Sequence, residues 1–230
     1  MTFSPTAIVT GASRGLGLGI AQRLLDSGYN VIAAARTAPS IEGAVNVAAD
    51  VTSVEDVRAL VEHARTGIAL LVNNAAALPA LDAFEELTPE RFRRGFEVDV
   101  FGTLAVTQAA APRMAGGTVV NLIAARFGQP AGAAHLSISP SQAALTALTR
   151  NLAAVLAPKI VVHGLAPYIT PAGGTGRTAA PALGITFDDG FLTAERVGDA
   201  VVTLAGERES ALWTVDAAQL SMVTSVPIGV

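Results

Sequence analysis

The chain contains no cysteine. That excludes disulfides, a thiolate nucleophile and Cys-bound zinc. Histidine is scarce: three of them, His63, His135 and His163, lie scattered along the sequence. Such a set does not make a dedicated metal site, so no metal is expected. Charge is sparse as well, at 15% of residues, with a formal net charge of −4. This leaves no basic footprint for nucleic acid. The uncharged stretch from Phe127 to Thr149 holds Gly, Pro, Gln, His and several Ser, which suits a pocket wall and not a bilayer span, so no membrane partner is expected. The opening MTFSPTAIVTG lacks a basic n-region and a long apolar h-region, so no signal peptide is expected and the cytoplasm is the expected location.

What the chain does have is apolar mass. Hydrophobic residues make up 51% of its 230 positions, enough for a large core and against disorder. No internal repeat or low-complexity linker divides it, which predicts one domain over 1–230. Apolar β-rich runs fall at 6–10, 30–35, 44–50, 68–74, 117–123, 159–165 and 211–215. Helical patterns fall between them at 15–27, 54–64, 99–114, 141–157 and 194–206, and Thr88-Pro89 looks like an N-cap and first helical residue. Continuous strands alternating with helices predict an α/β fold, a doubly wound, Rossmann-like parallel sheet of about seven strands. Ligands of such a sheet bind at the carboxyl ends of its strands. The Gly-, Pro- and Thr-rich stretch 170–190 breaks the rhythm, as a lid or a surface excursion would.

TGASRGLG (10–17) follows the first strand and opens the first helix. Gly11, Gly15 and Gly17 have the spacing that lets backbone approach a pyrophosphate at a helix N-terminus. The second strand ends in AAAR with no acid to hold the ribose 2′-hydroxyl of NAD. Arg36 stands there instead, and Arg14 lies inside the glycine loop. Two guanidiniums favour the 2′-phosphate of NADP(H).

These motifs resemble the short-chain dehydrogenase/reductase (SDR) family, and the resemblance covers nearly the whole chain. TGASRGLG matches the family's TGxxxGxG, ADVTS (49–53) its adenine-contact segment, and NNAA (73–76) its NNAG. LAP (165–167) resembles its Pro-Gly turn and WTVDAA (213–218) its terminal VDGG. The resemblance implies that Ser13, Arg14 and Leu16 join the glycines around the cofactor, with Asp50 and Val51 beside adenine and Asn74, Ala75 and Ala76 lining the same cleft. It also implies a homo-oligomer, dimer or tetramer, through the fifth helix and the 141–157 helix.

The family's chemistry uses Ser, Tyr and Lys, assisted by Asn. Here ISPSQAALTALTR aligns with YSASKAAxxxLTR, which puts Ile138 for Tyr and Gln142 for Lys. The Ser falls at Ala124 or Ala125, and Asp99 stands for Asn. No Tyr or Lys lies between Arg126 and Pro158. Ile138, Gln142, the two alanines and Tyr168 are the expected pocket lining. His135, Ser139, Tyr168 and Asp99 are the remaining polar candidates for chemistry. Asp99 also suits a cap of the fifth helix, and Ser139 to Gln142 fits a capping box. His163 is expected to make a structural hydrogen bond. Three functions follow as alternatives. One is a non-redox enzyme on a small apolar metabolite, working by orientation. Another is an NADPH-dependent reductase with a substitute proton donor. The third is an inactive homologue serving as a structural or regulatory partner.

Overall fold

The computed structural model describes residues 4–77, 84–124, 136–167, 192–215 and 219–225. Seven strands lie where the hydrophobic pattern predicts, with a helix between successive strands except β2 and β3: β1 Thr6–Thr10, β2 Asn30–Ala35, β3 Val45–Ala48, β4 Leu70–Asn73, β5 Thr118–Leu122, β6 Val161–Pro167 and β7 Ala211–Val215. An eighth strand, β8 (Leu220–Ser225), runs antiparallel beside β7. The sequence pattern predicts about seven strands, ending at 211–215, so β8 is an addition to it.

The strand order is β3-β2-β1-β4-β5-β6-β7-β8. The chain winds outward from β1 in one direction and restarts from β4 in the other. The crevice between the carboxyl ends of β1 and β4 is therefore the topological switch point, where ligands of open α/β sheets bind. Alternate strand residues feed two apolar layers. Ile8, Leu71, Val119 and Val162 pack with α2 (Val54–Glu62), α4 (Thr103–Ala110) and α5 (Ser139–Leu156). Val9, Val72, Val120 and Leu165 pack with α1 (Gly15–Asp26) and α6 (Ala194–Leu204). Helices thus cover both faces, as continuous apolar strands require.

Local signals fix the helix starts. Thr88 Oγ1 accepts a hydrogen bond from Arg91 N at 3.3 Å with Pro89 in the first turn of α3 (Pro89–Phe96), as the sequence predicts. Ser53 does the same for α2, accepting from Asp56 N at 3.2 Å.

Two local expectations are corrected. Asp99 does not begin a helix. It lies inside a π-helical segment, Glu97–Gly102, that joins α3 to α4, and its carboxylate faces other elements instead of capping its own. The 139–142 capping box does not form either. The cap position of α5 is Ile138, with no side-chain cap bond, and Ser139 is already helical. The Gln142 carboxamide is committed elsewhere.

Candidate active site

The switch-point crevice is built mostly from backbone. Gly11 and Gly15 adopt left-handed φ of 67° and 59°, which side chains rarely take. A Cβ on Gly17 would collide with the Gly11 carbonyl oxygen and with Asn74 Nδ2, so only glycine lets α1 start this close to the turn. Asn74 Nδ2 donates to the carbonyls of Thr10 at 3.0 Å and Gly11 at 3.1 Å. Thr10 Oγ1 accepts from Asn74 N and Ala75 N, both at 3.1 Å. Thr10 and Asn74 thereby staple the glycine turn to the end of β4. The α1 N-terminus carries no side-chain cap and no acidic residue in its first turn. Its open N–H groups and dipole suit an anion. Ser13 and Arg14 are exposed beside it, and Gly15 and Leu16 are half-buried.

The adenosine side lies at the ends of β2 and β3. Ala35 pairs with Ala48, which brings exposed Arg36 toward Asp50. Asp50 Oδ1 accepts from Thr52 N at 2.9 Å and Thr52 Oγ1 at 2.7 Å. Partial burial alone would raise the Asp50 carboxyl. The Thr52 bonds and the guanidiniums of Arg94 and Arg36 outweigh it and hold the carboxyl below its ordinary value. Arg94 Nη2 stands 3.6 Å from Asp50 Oδ2. Val51 is buried, and the π-segment's Gly102 rests on it: a Cβ there would lie 2.7 Å from Val51 Cγ2. Ala76 is exposed at the crevice rim. An anionic dinucleotide fits these residues. The open helix N-terminus would meet the pyrophosphate, and no acid follows β2 to repel a 2′-phosphate.

The other half of the site is built from side chains. Asp99 is 1% exposed. Its Oδ1 accepts from Ala77 N at 2.9 Å. Its Oδ2 accepts from Ser141 Oγ and from Gln142 Nε2, both at 2.7 Å. Gln142 Oε1 in turn accepts from Ala124 N at 2.7 Å. Burial pushes the Asp99 carboxyl above its ordinary value, and the bonds from Ser141, Ala77 and Gln142 pull partly back. Ile138 and Ser139 are buried, Ala124 half-buried. Gln142 is therefore not a free pocket residue; both ends of its carboxamide are engaged. Ala125, His135 and Tyr168, together with the 170–190 stretch, lie outside the described residues.

No lysine is at hand for a proton relay. The chain's one lysine, Lys159, precedes β6 at the sheet edge opposite the strand carboxyl ends. His163 is buried on β6, and its Nδ1 accepts from Trp213 Nε1 at 3.1 Å. Burial lowers its pKa to about 4, against backbone contacts from Ala211 and Leu204 that act to raise it. It is a neutral structural histidine, as the sequence suggests. Among the described residues no group of three or more metal-ligating side chains occurs, and no helix is long and apolar enough to cross a membrane.

Sequence reasoning missed Thr10, Arg94 and a buried polar row. In that row Asn73 Nδ2 donates to Thr107 Oγ1 at 3.1 Å and to Asn121 Oδ1 at 2.9 Å. Asn121 Nδ2 donates to Thr149 Oγ1 at 2.9 Å. It ties α4 and α5 to the central strands. Asparagines at the ends of two adjacent apolar strands were the available signal.

Residues 5–180 match the short chain dehydrogenase family. The chain is a member of the short-chain dehydrogenase/reductase family. This SDR is 35% identical over 181 residues to a granaticin polyketide synthase putative ketoacyl reductase 2 from Streptomyces violaceoruber, covering 71% of this chain and 72% of that protein. It is 35% identical over 160 residues to an L-fucose dehydrogenase from Oryctolagus cuniculus, covering 64% of this chain but spanning only 55% of that protein. A short-chain dehydrogenase from Streptomyces avermitilis superposes with a TM-score of 0.79 at 25% identity, covering 93% of this chain and 88% of that one. A 3-ketoacyl-(acyl-carrier-protein) reductase from Brucella melitensis complexed with NADH shares the fold, with a TM-score of 0.78 at 24% identity, over 93% and 97% of the two chains.

Proposed function

We propose that this SDR is a cytoplasmic enzyme that binds NADP(H) and acts on a small, largely apolar metabolite without a tyrosine–lysine proton relay, by non-redox chemistry such as cyclisation, isomerisation or elimination. One observation carries the reading. At the two positions where the family has its acid and its lysine, Ile138 is buried and Gln142 is bonded to Asp99 and Ala124. Neither offers a proton.

Gly11, Ser13, Gly15, Leu16 and Gly17 would hold the pyrophosphate, Arg14 and Arg36 the 2′-phosphate, Asp50 and Val51 the adenine, and Asn74, Ala75 and Ala76 the inner cleft. In the non-redox reading a bound cofactor would be structural; only in the reductase reading would it supply a hydride to an electrophilic carbon. The chain's own residues would orient the substrate and exclude water. Orientation alone can supply several kcal/mol of a barrier, roughly 7–11 in well-aligned intramolecular cases.

A second reading is an NADPH-dependent reductase acting on an activated alkene or iminium-like carbon, which needs less protonation than a ketone. The intact glycine crevice and the oxidoreductase names of the relatives support it. Its proton would come from His135, Tyr168 or water. A homo-oligomer is part of the proposal: Phe101 and Val155 are 62% and 78% exposed, and Ala143 and Ala147 are exposed on α5 between them in sequence.

The test is a substrate panel of enones, imines, ketones and cyclisable polyenes, incubated with protein and NADPH. Nicotinamide absorbance and product NMR are followed together. Product without nicotinamide oxidation supports the non-redox reading. Stoichiometric oxidation with a reduced product overturns it in favour of the reductase.

A further inference from the structure

The hydrogen bonds around Asp99 have a fixed direction. Asp99 only accepts: from Ala77 N, from Ser141 Oγ and from Gln142 Nε2. Gln142 donates with its nitrogen and accepts from Ala124 N with its oxygen. A flip of the carboxamide would set Nε2 against the Ala124 N–H and leave both donors without an acceptor. The polarity therefore runs one way, from Ala124 through Gln142 to Asp99.

This chain of bonds ties three segments of the site to the one that carries Asp99. Ala77 is on the exit from β4, Ala124 is on the exit from β5, and Ser141 and Gln142 are in the first turns of α5. All are at the carboxyl edge of the sheet. We infer that Asp99 and Gln142 are a matched pair of positioning residues that set where the β4 and β5 exits lie relative to α5. The inference rests on the reading that this edge is the ligand site. The pair does the job through donor–acceptor matching, and neither residue needs to touch the ligand.

Matching makes a specific demand on substitutions. Asp99→Asn can keep Oδ1 for Ala77 N, but then its amide nitrogen faces the Gln142 nitrogen, donor against donor. Gln142→Glu can keep an oxygen for Ala124 N, but then sets carboxylate against carboxylate. The double change satisfies every group. The new amide at position 99 would donate one hydrogen to the new carboxylate at position 142 and the other to Ser141 Oγ. Ser141 Oγ lies 3.0 Å from the Ile138 carbonyl and can pass its own hydrogen there. The second oxygen of the new carboxylate still accepts from Ala124 N.

The experiment measures amide hydrogen exchange at Ala124 and Ala77 in the free protein for wild type, D99N, Q142E and D99N/Q142E. Amides of Ile32 and Ala33 in β2 serve as the reference for global opening. Each single variant is expected to exchange at least tenfold faster at Ala124 with the β2 amides unchanged, and the double variant to return within about threefold of wild type. Unaffected single variants, or a double variant whose losses add, would overturn the inference. If the single variants fail to fold, a folded double variant is the rescue and an unfolded one is the refutation. NADPH affinity, read on the same samples, tests the ligand-site reading separately. An exchange pattern as expected in a protein that binds no nucleotide would keep the pairing and remove its link to a cofactor.

Discussion

The crevice between β1 and β4 and the exits of β4 and β5 toward α5 are neighbours on one sheet edge, yet they are held by different means. In the crevice, left-handed glycines, an open helix N-terminus and backbone carbonyls define the shape. Beyond it, a buried carboxyl, a carboxamide and a hydroxyl define it. A surface made of backbone depends on where side chains are missing. A surface made of side chains depends on which donor meets which acceptor, so its chemistry can be exchanged in pairs while the backbone stays. That is how the first half can keep a nucleotide-type crevice while, among the described residues, the second is held by Ser141 and Gln142 bonded to Asp99.

The sharpest way to break the first half is Gly17→Val. Its side chain has to displace backbone at Gly11 and the Asn74 amide. We expect a loss of about 3 kcal/mol or more in urea unfolding, together with loss of nucleotide binding. Gly28→Ala is the control: it has φ 86° and nothing within 4 Å, so only the backbone cost of about 1 kcal/mol applies.

Buried titratable groups separate the structural part of β6 from the site beside it. His163 is held near 4, below its unfolded value of about 6.5. The unfolded chain takes up that proton first, so stability is full above about pH 6.5 and falls as pH drops through 4, by on the order of 3 kcal/mol. Asp99 has the opposite sign. Its carboxyl is raised by burial, so the folded protein gives up the proton later. Its contribution is full at pH below the ordinary carboxylate range and is lost as pH rises through the folded value. Urea titrations between pH 4 and 8 check both. D99N should remove the second trend and leave the first.

Smallest are the helix caps, which lie outside both halves of the contrast. Thr88→Ala and Ser53→Ala each remove one cap bond and should cost about 1 kcal/mol in the same unfolding assay, with nucleotide affinity unchanged for Thr88→Ala.

The fold was legible because its signals are local or periodic. Apolar runs gave seven strands, and TGASRGLG announced the crevice by spacing alone. Arg94 was not legible, since nothing in RFRRGF says that its guanidinium reaches Asp50 across another element. The resemblance aligns Ile138 and Gln142 with the family's tyrosine and lysine. It did not show that Asp99 and Gln142 bond to each other, because two residues 43 positions apart meet only through the sheet order. The capping-box reading failed for the same reason. A local partner for Gln142 was available in sequence, and a buried carboxylate together with an unpaired Ala124 N–H won it in space. Burial raises the worth of satisfying such groups over a cap exposed to water.

The central claim is that a working nucleotide site adjoins a chemical half without a proton relay. It is tested most directly by titrating purified protein with NADPH and NADH, following nicotinamide fluorescence and thermal stability, in wild type and in Arg14→Ala/Arg36→Ala. The account predicts tighter binding of NADPH than of NADH in the wild type, by tenfold or more, as one charge-assisted contact of about 1.5–3 kcal/mol provides. The double variant should lose that preference while its NADH affinity stays the same. Absence of binding to either nucleotide would contradict the account and make the glycine turn a structural inheritance.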